Sequence, residues 1–235
     1  MIDQKYILLI LNCYKYKYKA KIQSETWLKK LDNNVIYFHV IGDIKKCKDN
    51  NYFFDFNNKI LYTKTKDDYL SLPDKVITAI EAINCTYNYD YIFKTDDDQK
   101  LVMDDFFTKM IKTLSSSSIK YNYGGRLLRV NDFYSTYYTI HSELPKNLLL
   151  KKTNYCSGRF YFLSKAAVMN LLEKSELIKQ HIIEDHAIGY YLDDDLKKNT
   201  FYLLSDKFFH DIKNCSNMFH DKNCSNFFKI NYNKN

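Results

Sequence analysis

An α/β fold, a mixed and mainly parallel sheet flanked by helices, is what this sequence predicts, and three observations predict it. Strand-length apolar runs alternate with helix-period stretches through the first half, the order that yields parallel strands joined by crossover helices. The first run, Tyr6-Ile-Leu-Leu-Ile-Leu11, is apolar without alternation, as a strand covered on both faces requires. The chain has 235 residues with only 5 Gly and 2 Pro, enough for one large core and too few flexible residues for linkers.

The elements follow in order. After Tyr6–Leu11, residues Ile22 to Leu31 read as a helix that can bury Ile22, Trp27, Leu28 and Leu31. Val35 to Ile41 is the second strand, closed by Gly42-Asp43, and Ile60-Leu-Tyr62 is a short third one after an asparagine-rich loop. Pro73 suits the first turn of a helix whose Val76, Ile77, Ile80 and Ile83 recur at helical spacing. Tyr89 to Phe93 is the fourth strand and runs into Lys94-Thr-Asp-Asp-Asp98. Phe106, Phe107, Met110, Ile111 and Leu114 mark a helix that stops at the serine run Ser115–Ser118. The second half is more mixed: Tyr121–Val130, Phe133–His141 and Tyr155–Leu163 read as strands. Ser164 then caps a helix carrying Ala167, Val168, Leu171 and Leu172, and Ile182–Leu192 is also helical. No boundary is visible, so residues 1–235 are expected to form one domain, with halves 1–114 and 115–235.

Composition excludes several classes. With 46% hydrophobic and 27% charged residues the chain is neither disordered nor a coiled coil. No segment reaches the roughly 20 apolar residues of a membrane span, and Tyr6–Leu11 runs into Asn12 and lysines without a cleavage site. The six cysteines lack framework spacing and read as reduced thiols. The net charge of +7 is almost all lysine, with Arg126, Arg129 and Arg159 the only arginines, a poor stock for reading bases. No nucleic-acid partner is expected, and the location expected is cytoplasmic.

Asp96-Asp97-Asp98 is the most informative element. Three adjacent carboxylates repel one another unless solvent or a cation offsets the cost. They follow a buried strand, at the sheet edge where open α/β folds bind ligands. Alternate carboxylates, Asp96 and Asp98, can converge on one hard divalent ion that bridges phosphate oxygens. Asp193-Asp194-Asp195 is a control: it follows a helix, leads into Leu196-Lys197-Lys198, and reads as surface.

With this triplet, the chain resembles a known family. Phe93-Lys-Thr-Asp-Asp-Asp98 is similar to the metal-binding Asp-x-Asp segment of the β-1,3-glycosyltransferases, the galactosyltransferase and Fringe group. Thr26-Trp27 and the strand ending Ile41-Gly42 resemble that family's N-terminal pattern, and Asp67-Asp-Tyr-Leu-Ser-Leu-Pro-Asp-Lys75 resembles its Asp-Ser-Tyr-x-Asn-Leu-x-x-Lys segment. Tyr155-Cys-Ser-Gly158 with Leu163-Ser164 is similar to Tyr-Cys-Ser-Gly-Gly-Gly-Tyr-x-Leu-Ser, and Glu184-Asp185 with Gly189 to Glu-Asp-Val-x-x-Gly. The five similarities come in family order from about Ile22 to Tyr190.

The resemblance implies a Rossmann-like domain of the GT-A type, with a nucleotide-binding half (1–114) and an acceptor-side half (115–235), a UDP-sugar donor, Mn²⁺ or Mg²⁺, and inverting transfer of a hexose or N-acetylhexosamine to a glycan or glycoprotein hydroxyl in β-1,3 linkage. Animal members carry an N-terminal membrane anchor, so against the resemblance this chain is expected to be an enzyme of a microbe or of the factory of a large virus. It implies Asp98 as principal metal ligand, Asp96 on the ribose or metal, and Asp97 in the donor site. Asp185, paired with Glu184, is the implied general base; inverting transfer needs one carboxylate to take the acceptor proton while a cation offsets charge on the leaving diphosphate. Asp68 and Lys75 are implied in the donor pocket, and Lys19 or Lys21 in place of an arginine that precedes Thr-Trp. His210, in Phe208-Phe-His210, corresponds to the family's C-terminal metal histidine. A near-repeat of Phe209–Asn217 by Phe219–Asn226 makes His220 its competitor, and His210, Cys215, His220 and Cys224 can alternatively form a zinc site. His39, inside an apolar strand, reads as a hydrogen-bonded core residue, Asp43 as structural, and His141, His181 and His186 receive no role. Arg159 and Phe160 stand where the family has glycines, which bears on acceptor and donor choice; Arg159 is a residue for an acidic group or the diphosphate. Two other readings compete: a non-catalytic nucleotide-sugar or glycan-binding module, and a metal-dependent phosphohydrolase or nucleotidyltransferase.

Overall fold

The computed structural model describes residues 1–212. Its main strands are β1 (Tyr6–Leu11), β2 (Val35–Gly42), β3 (Tyr52–Asp55), β4 (Ile60–Thr63), β5 (Tyr91–Asp96), β6 (Gln99–Leu101), β7 (Tyr123–Val130), β8 (Thr153–Ser164), β9 (Phe201–Tyr202) and β10 (Phe209–Asp211). The main helices are α1 (Lys17–Glu25), α2 (Leu72–Thr86), α3 (Phe106–Ser116), α4 (Lys165–Leu172), α5 (Ser175–Lys179) and α6 (Glu184–Tyr191).

Eight strands form the central sheet in the order β9-β7-β8-β5-β1-β2-β4-β3. β5, β1, β2 and β4 are parallel, while β8 and β3 run against their neighbours. All six residues of β1 are buried, and their alternation divides them between two cores. Ile7, Leu9 and Leu11 pack with Val76, Ile77, Ile80 and Ile83 of α2 and with residues of α4 and α6. Tyr6, Leu8 and Ile10 pack with Trp27, Phe106 and Phe107 of α3, Phe160 and Phe209. The continuous apolar run in β1 is thus the signature of a strand with helices on both sides.

The order of connections fixes where a ligand can bind. From β1 the chain builds outward through β2 to β4, and α2 then returns it to β5 on the other side of β1. That reversal opens a crevice beyond the carboxyl ends of β1 and β5. Leu11 pairs with Asp96 in the β1–β5 register, and Asp97 N donates to Leu11 O at 3.0 Å. The acidic triplet therefore sits at the reversal point.

Three expectations differ from the structure. The helix expected over Ile22–Leu31 begins at Lys17, ends at Glu25, and continues as a 3₁₀ turn over Trp27–Lys30. Tyr52–Asp55 is an edge strand inside what the sequence suggested was loop. Phe133–His141 is not a strand: only Phe133–Tyr134 pairs, with Leu149–Leu150, and Tyr137–Thr139 is a 3₁₀ turn. The β-branched and aromatic residues there have β-propensity but no sheet neighbour to bury them, and most are exposed.

His39 is buried in β2, with its Nδ1 3.4 Å from Asn12 Nδ2. Burial pushes its pKa down to about 4. The unfolded chain therefore binds the proton more readily, so this group's contribution to stability is present above pH ~6.5 and is lost as pH falls toward 4. The expected cost is roughly 3 kcal/mol. Denaturant midpoints measured from pH 7 to 4 should fall for the wild type and fall less for His39→Phe; parallel curves would remove His39 as a cause.

Candidate active site

The triplet is held in place from α1. Lys19 Nζ lies 3.3 Å from Asp97 Oδ1, and one turn later Gln23 Nε2 donates to Asp96 O (3.2 Å) and Gln99 O (2.8 Å). Trp27 Nε1 also donates to Gln99 O, at 3.2 Å. Thr26 Oγ1 donates to Ile22 O at 2.6 Å, tying the end of α1 back to its own last turn. These bonds give the Thr-Trp pattern a physical role: it anchors α1 against the loop that carries the carboxylates. Because α1 starts at Lys17, Lys19 faces the triplet. Lys21 points outward, paired with Glu25 at 3.8 Å.

Asp96 meets the Glu184-Asp185 pair across Gly158 of β8. Lys94, 2% exposed, donates to Asp96 Oδ1 (2.7 Å), Glu184 Oε2 (3.0 Å) and Gly158 O (3.0 Å). Tyr161 OH donates to Glu184 Oε1. Asp185 lies in the first turn of α6, where its Oδ2 accepts from Gly158 N and its Oδ1 from His186 N, each at 2.8 Å. A Cβ at Gly158 would lie 3.2 Å from Lys94 Nζ, 3.4 Å from Asp185 Oδ2 and 3.5 Å from Asp96 Oδ2. Those two carboxylate oxygens are therefore within about 7 Å of one another, and a glycine keeps the space between them open. Gly189 has a packing role, since a Cβ there would fall 2.2 Å from Tyr155 Cβ; it lets α6 lie directly on β8.

The electrostatics follow from this geometry. Burial raises the pKa of Asp96 to about 6 despite Lys94, with Asp98 and Glu184 adding to the rise. Burial likewise pushes Asp97 up to about 7 against the pull of Lys19. Glu184 and Asp185 are both raised, chiefly by burial, with Lys94 opposing. Burial alone would lower Lys94, but Asp96 and Glu184 reverse that and hold it protonated. Five carboxylates (Asp96, Asp97, Asp98, Glu184, Asp185) face two ammonium groups (Lys19, Lys94). Oxygen donors with surplus negative charge are the chemistry a hard divalent cation takes, although no three of them converge on one point among the described residues.

The remaining expected residues divide. Lys75, 2% exposed, donates to Asn12 O (3.1 Å) and Asp67 Oδ1 (2.7 Å), so it ties α2 to the end of β1. Asp67 also accepts from Gly42 N at 3.1 Å and Tyr14 N at 2.7 Å. Asp68 accepts from Ser71 N at 2.8 Å, at the start of α2. Asp67 and Asp68 line an open cleft of about 520 Å³ with Tyr14, Gly42, Asp43, Ile44, Lys45, Thr65 and Lys66. Asp43 caps the turn Ile44–Cys47 through Lys45 N and Lys46 N. His210 lies in β10 opposite Lys100, and no group of three His, Cys, Asp or Glu among the described residues converges as a metal site. Asp96, Asp98 and His210 are thus not drawn into one cluster; His220, Cys215 and Cys224 lie outside the described residues. Phe160 is core, stacked on Phe209 at 4.7 Å. The acidic groups that Arg159 holds belong to its own chain: Asp211 at 2.8 Å and Asp206 at 3.2 Å. Asp194 and Asp195 are exposed as expected, paired with Lys197 and Lys198.

Lys94 and the His186 backbone are among the site groups that received no role from the sequence. Lys94 had a usable signal: a lone lysine prolonging a doubly buried strand needs buried carboxylates to face. The His186 backbone N–H had none, because any residue supplies it.

A family model described as Galactosyltransferase matches residues 21–217. Curated protein sequences gave no match. Among solved structures, this chain is similar to a glycosyltransferase involved in glycosylation of the major capsid of PBCV-1, at 10% identity and TM-score 0.47, covering 85% of this chain and 82% of that one. It is also similar to the glycosyltransferase GlyE of Streptococcus pneumoniae, at 10% identity and TM-score 0.46, covering 87% of this chain. There this chain spans only 46% of the longer protein. A third, the 2-C-methyl-D-erythritol 4-phosphate cytidylyltransferase of Francisella tularensis, has 15% identity and TM-score 0.42, with 85% and 89% covered. Scores of this size assign nothing, so the assignment rests on the family match.

Proposed function

The chain belongs to the Galactosyltransferase family, and from that membership we propose that this glycosyltransferase moves a hexose or N-acetylhexosamine from a UDP-sugar to a glycan hydroxyl, with inversion and with a divalent cation. One observation carries the reading: Asp96 and Asp185 come from distant elements and meet over Gly158. Asp96 and Asp98 would hold the cation, whose chemistry is to offset charge on the departing diphosphate.

The chain's own groups do the rest. Asp185 takes the proton from the acceptor hydroxyl. The N–H groups of Gly158 and His186 fix both of its oxygens, which orients the carboxylate. Burial raises its proton affinity, which improves it as a base while it stays ionised. Glu184 serves through Lys94, whose ammonium joins the two acidic clusters. The cleft beside Tyr14, Gly42 and Asp67 is the place for the nucleoside in the amino-terminal half, and β7 to α6 face the acceptor. Among the described residues no helix is long and apolar enough to cross a membrane.

Asp98→Asn tests the donor half of this reading. Titration calorimetry of UDP with Mn²⁺ should show affinity at least tenfold weaker, about 1.4 kcal/mol, with little change when Mn²⁺ is left out. Equal affinities in the two proteins would reject the assignment of Asp98.

A further inference from the structure

The structure assigns one more residue to the donor site: we propose that Gln99, held in a single orientation by Arg159, is a positioning residue that sets the direction of the Asp98 carboxylate. This rests on the reading of Asp98 as a cation ligand and extends it to residues that the family resemblance leaves without a role.

Gln99 is 3% exposed, and three of its four amide hydrogen-bonding positions are used, both donors among them. Its Nε2 donates to Asp98 Oδ1 at 2.7 Å and to Asp211 Oδ1 at 3.0 Å. Its Oε1 accepts from Arg159 Nη1 at 2.8 Å. Only one sense of the amide is compatible with these neighbours. Turned over, its oxygen would face two carboxylates and its NH₂ a guanidinium, neither of which can complete a bond. Arg159 therefore selects the sense, and that sense presents a donor to Asp98.

Arg159 is itself locked. Its guanidinium also donates to Phe209 O at 2.8 Å and pairs with Asp211 and Asp206, and Asp206 is shared with Arg126. Ile212 N donates to Asp98 O, so Asp98 is tied at its main chain as well as at one side-chain oxygen. A ligand carboxylate held in this way does not need to be ordered when the cation arrives. Partners of this kind contribute to affinity without touching the metal. The network depends on an arginine where the resembled family carries glycine, so this chain has built its own support for Asp98.

The test is calorimetric titration of Mn²⁺ into protein saturated with UDP, with the thermal midpoint of metal-free protein measured alongside. Gln99→Met keeps the side-chain length and removes both donors, and it should weaken Mn²⁺ binding by roughly 10- to 100-fold. Arg159→Met should do the same, and the double variant should be no weaker than Gln99→Met alone, because the two act on one path. Arg159→Lys should recover part of the loss. A purely structural role would lower the metal-free midpoint and leave the Mn²⁺ affinity of the folded protein unchanged. That result in either single variant, or fully additive losses, would overturn the proposal. If Gln99→Met does not fold, the contrast between Arg159→Met and Arg159→Lys decides alone. A wild type that binds no Mn²⁺ with UDP would remove the cation reading and this inference together. Loss in Asp98→Asn without loss in Gln99→Met would remove only this one.

Discussion

Asp185→Asn is expected to lower kcat by roughly 10²- to 10⁴-fold, the usual range for a lost general base, while UDP affinity in the presence of Mn²⁺ stays unchanged. Structure gives little reason for the variant to unfold. The amide oxygen can still accept from Gly158 N; the amide NH2 forfeits the bond from His186 N, while loss of the charge relieves repulsion with Asp96 and Glu184. Turnover measured as sugar transfer and affinity measured by calorimetry therefore report on different things. Wild-type turnover in Asp185→Asn would exclude it as the base. A wild type that binds UDP but transfers no sugar would favour the binding-module reading. The pH profile carries a second signature: burial raises the Asp185 pKa, so the acid limb should lie at higher pH than an ordinary aspartate gives, with activity lost as pH falls through it.

Lys94→Met should have the largest effect on stability. Removing one partner of a buried ion pair costs about 3–5 kcal/mol, which for a domain of this size is a fall in Tm of roughly 6–20 °C. Here one ammonium serves Asp96, Glu184 and the Gly158 carbonyl, so its loss leaves the buried Glu184 carboxylate facing the half-buried Asp96 with no cation between them. Adding Glu184→Gln should restore part of the loss, since it removes one uncompensated charge. Denaturant melts of both variants check this. A Lys94→Met midpoint equal to the wild type would mean that water reaches the pair and screens it.

How much could be read from the sequence depended on whether local chemistry matched tertiary surroundings. β1 and β5 were legible because burial on both faces forces an unbroken apolar run. The two acidic triplets were separable because one ends a buried strand and the other begins beyond a helix. The resemblance brought Asp96 and Asp185 into one argument, but their meeting over Gly158 required the antiparallel entry of β8 beside β5. Between Lys19 and Lys21 the choice turned on helix phase, which the start at Lys17 decides and no residue near Lys17 announces. Tyr52–Asp55 was missed because an edge strand shows no clear alternation of buried and exposed positions. Gln99 was invisible for another reason: its value lies in the orientation of an amide, which only its neighbours define.

The central position of β1 has a consequence for how the chain is made. β1 leaves the ribosome well before its partner, since its register with β5 pairs Leu11 with Asp96, 85 residues later. At translation rates of 5–20 residues per second, that interval is on the order of 4–17 s. Throughout it, one long edge of the most apolar strand is open, paired at best with β2 on the other side. Closing so distant a contact also slows folding. The nascent protein thus passes through a window in which Tyr6–Leu11 offers an unpaired apolar edge, the kind of segment a chaperone would cover.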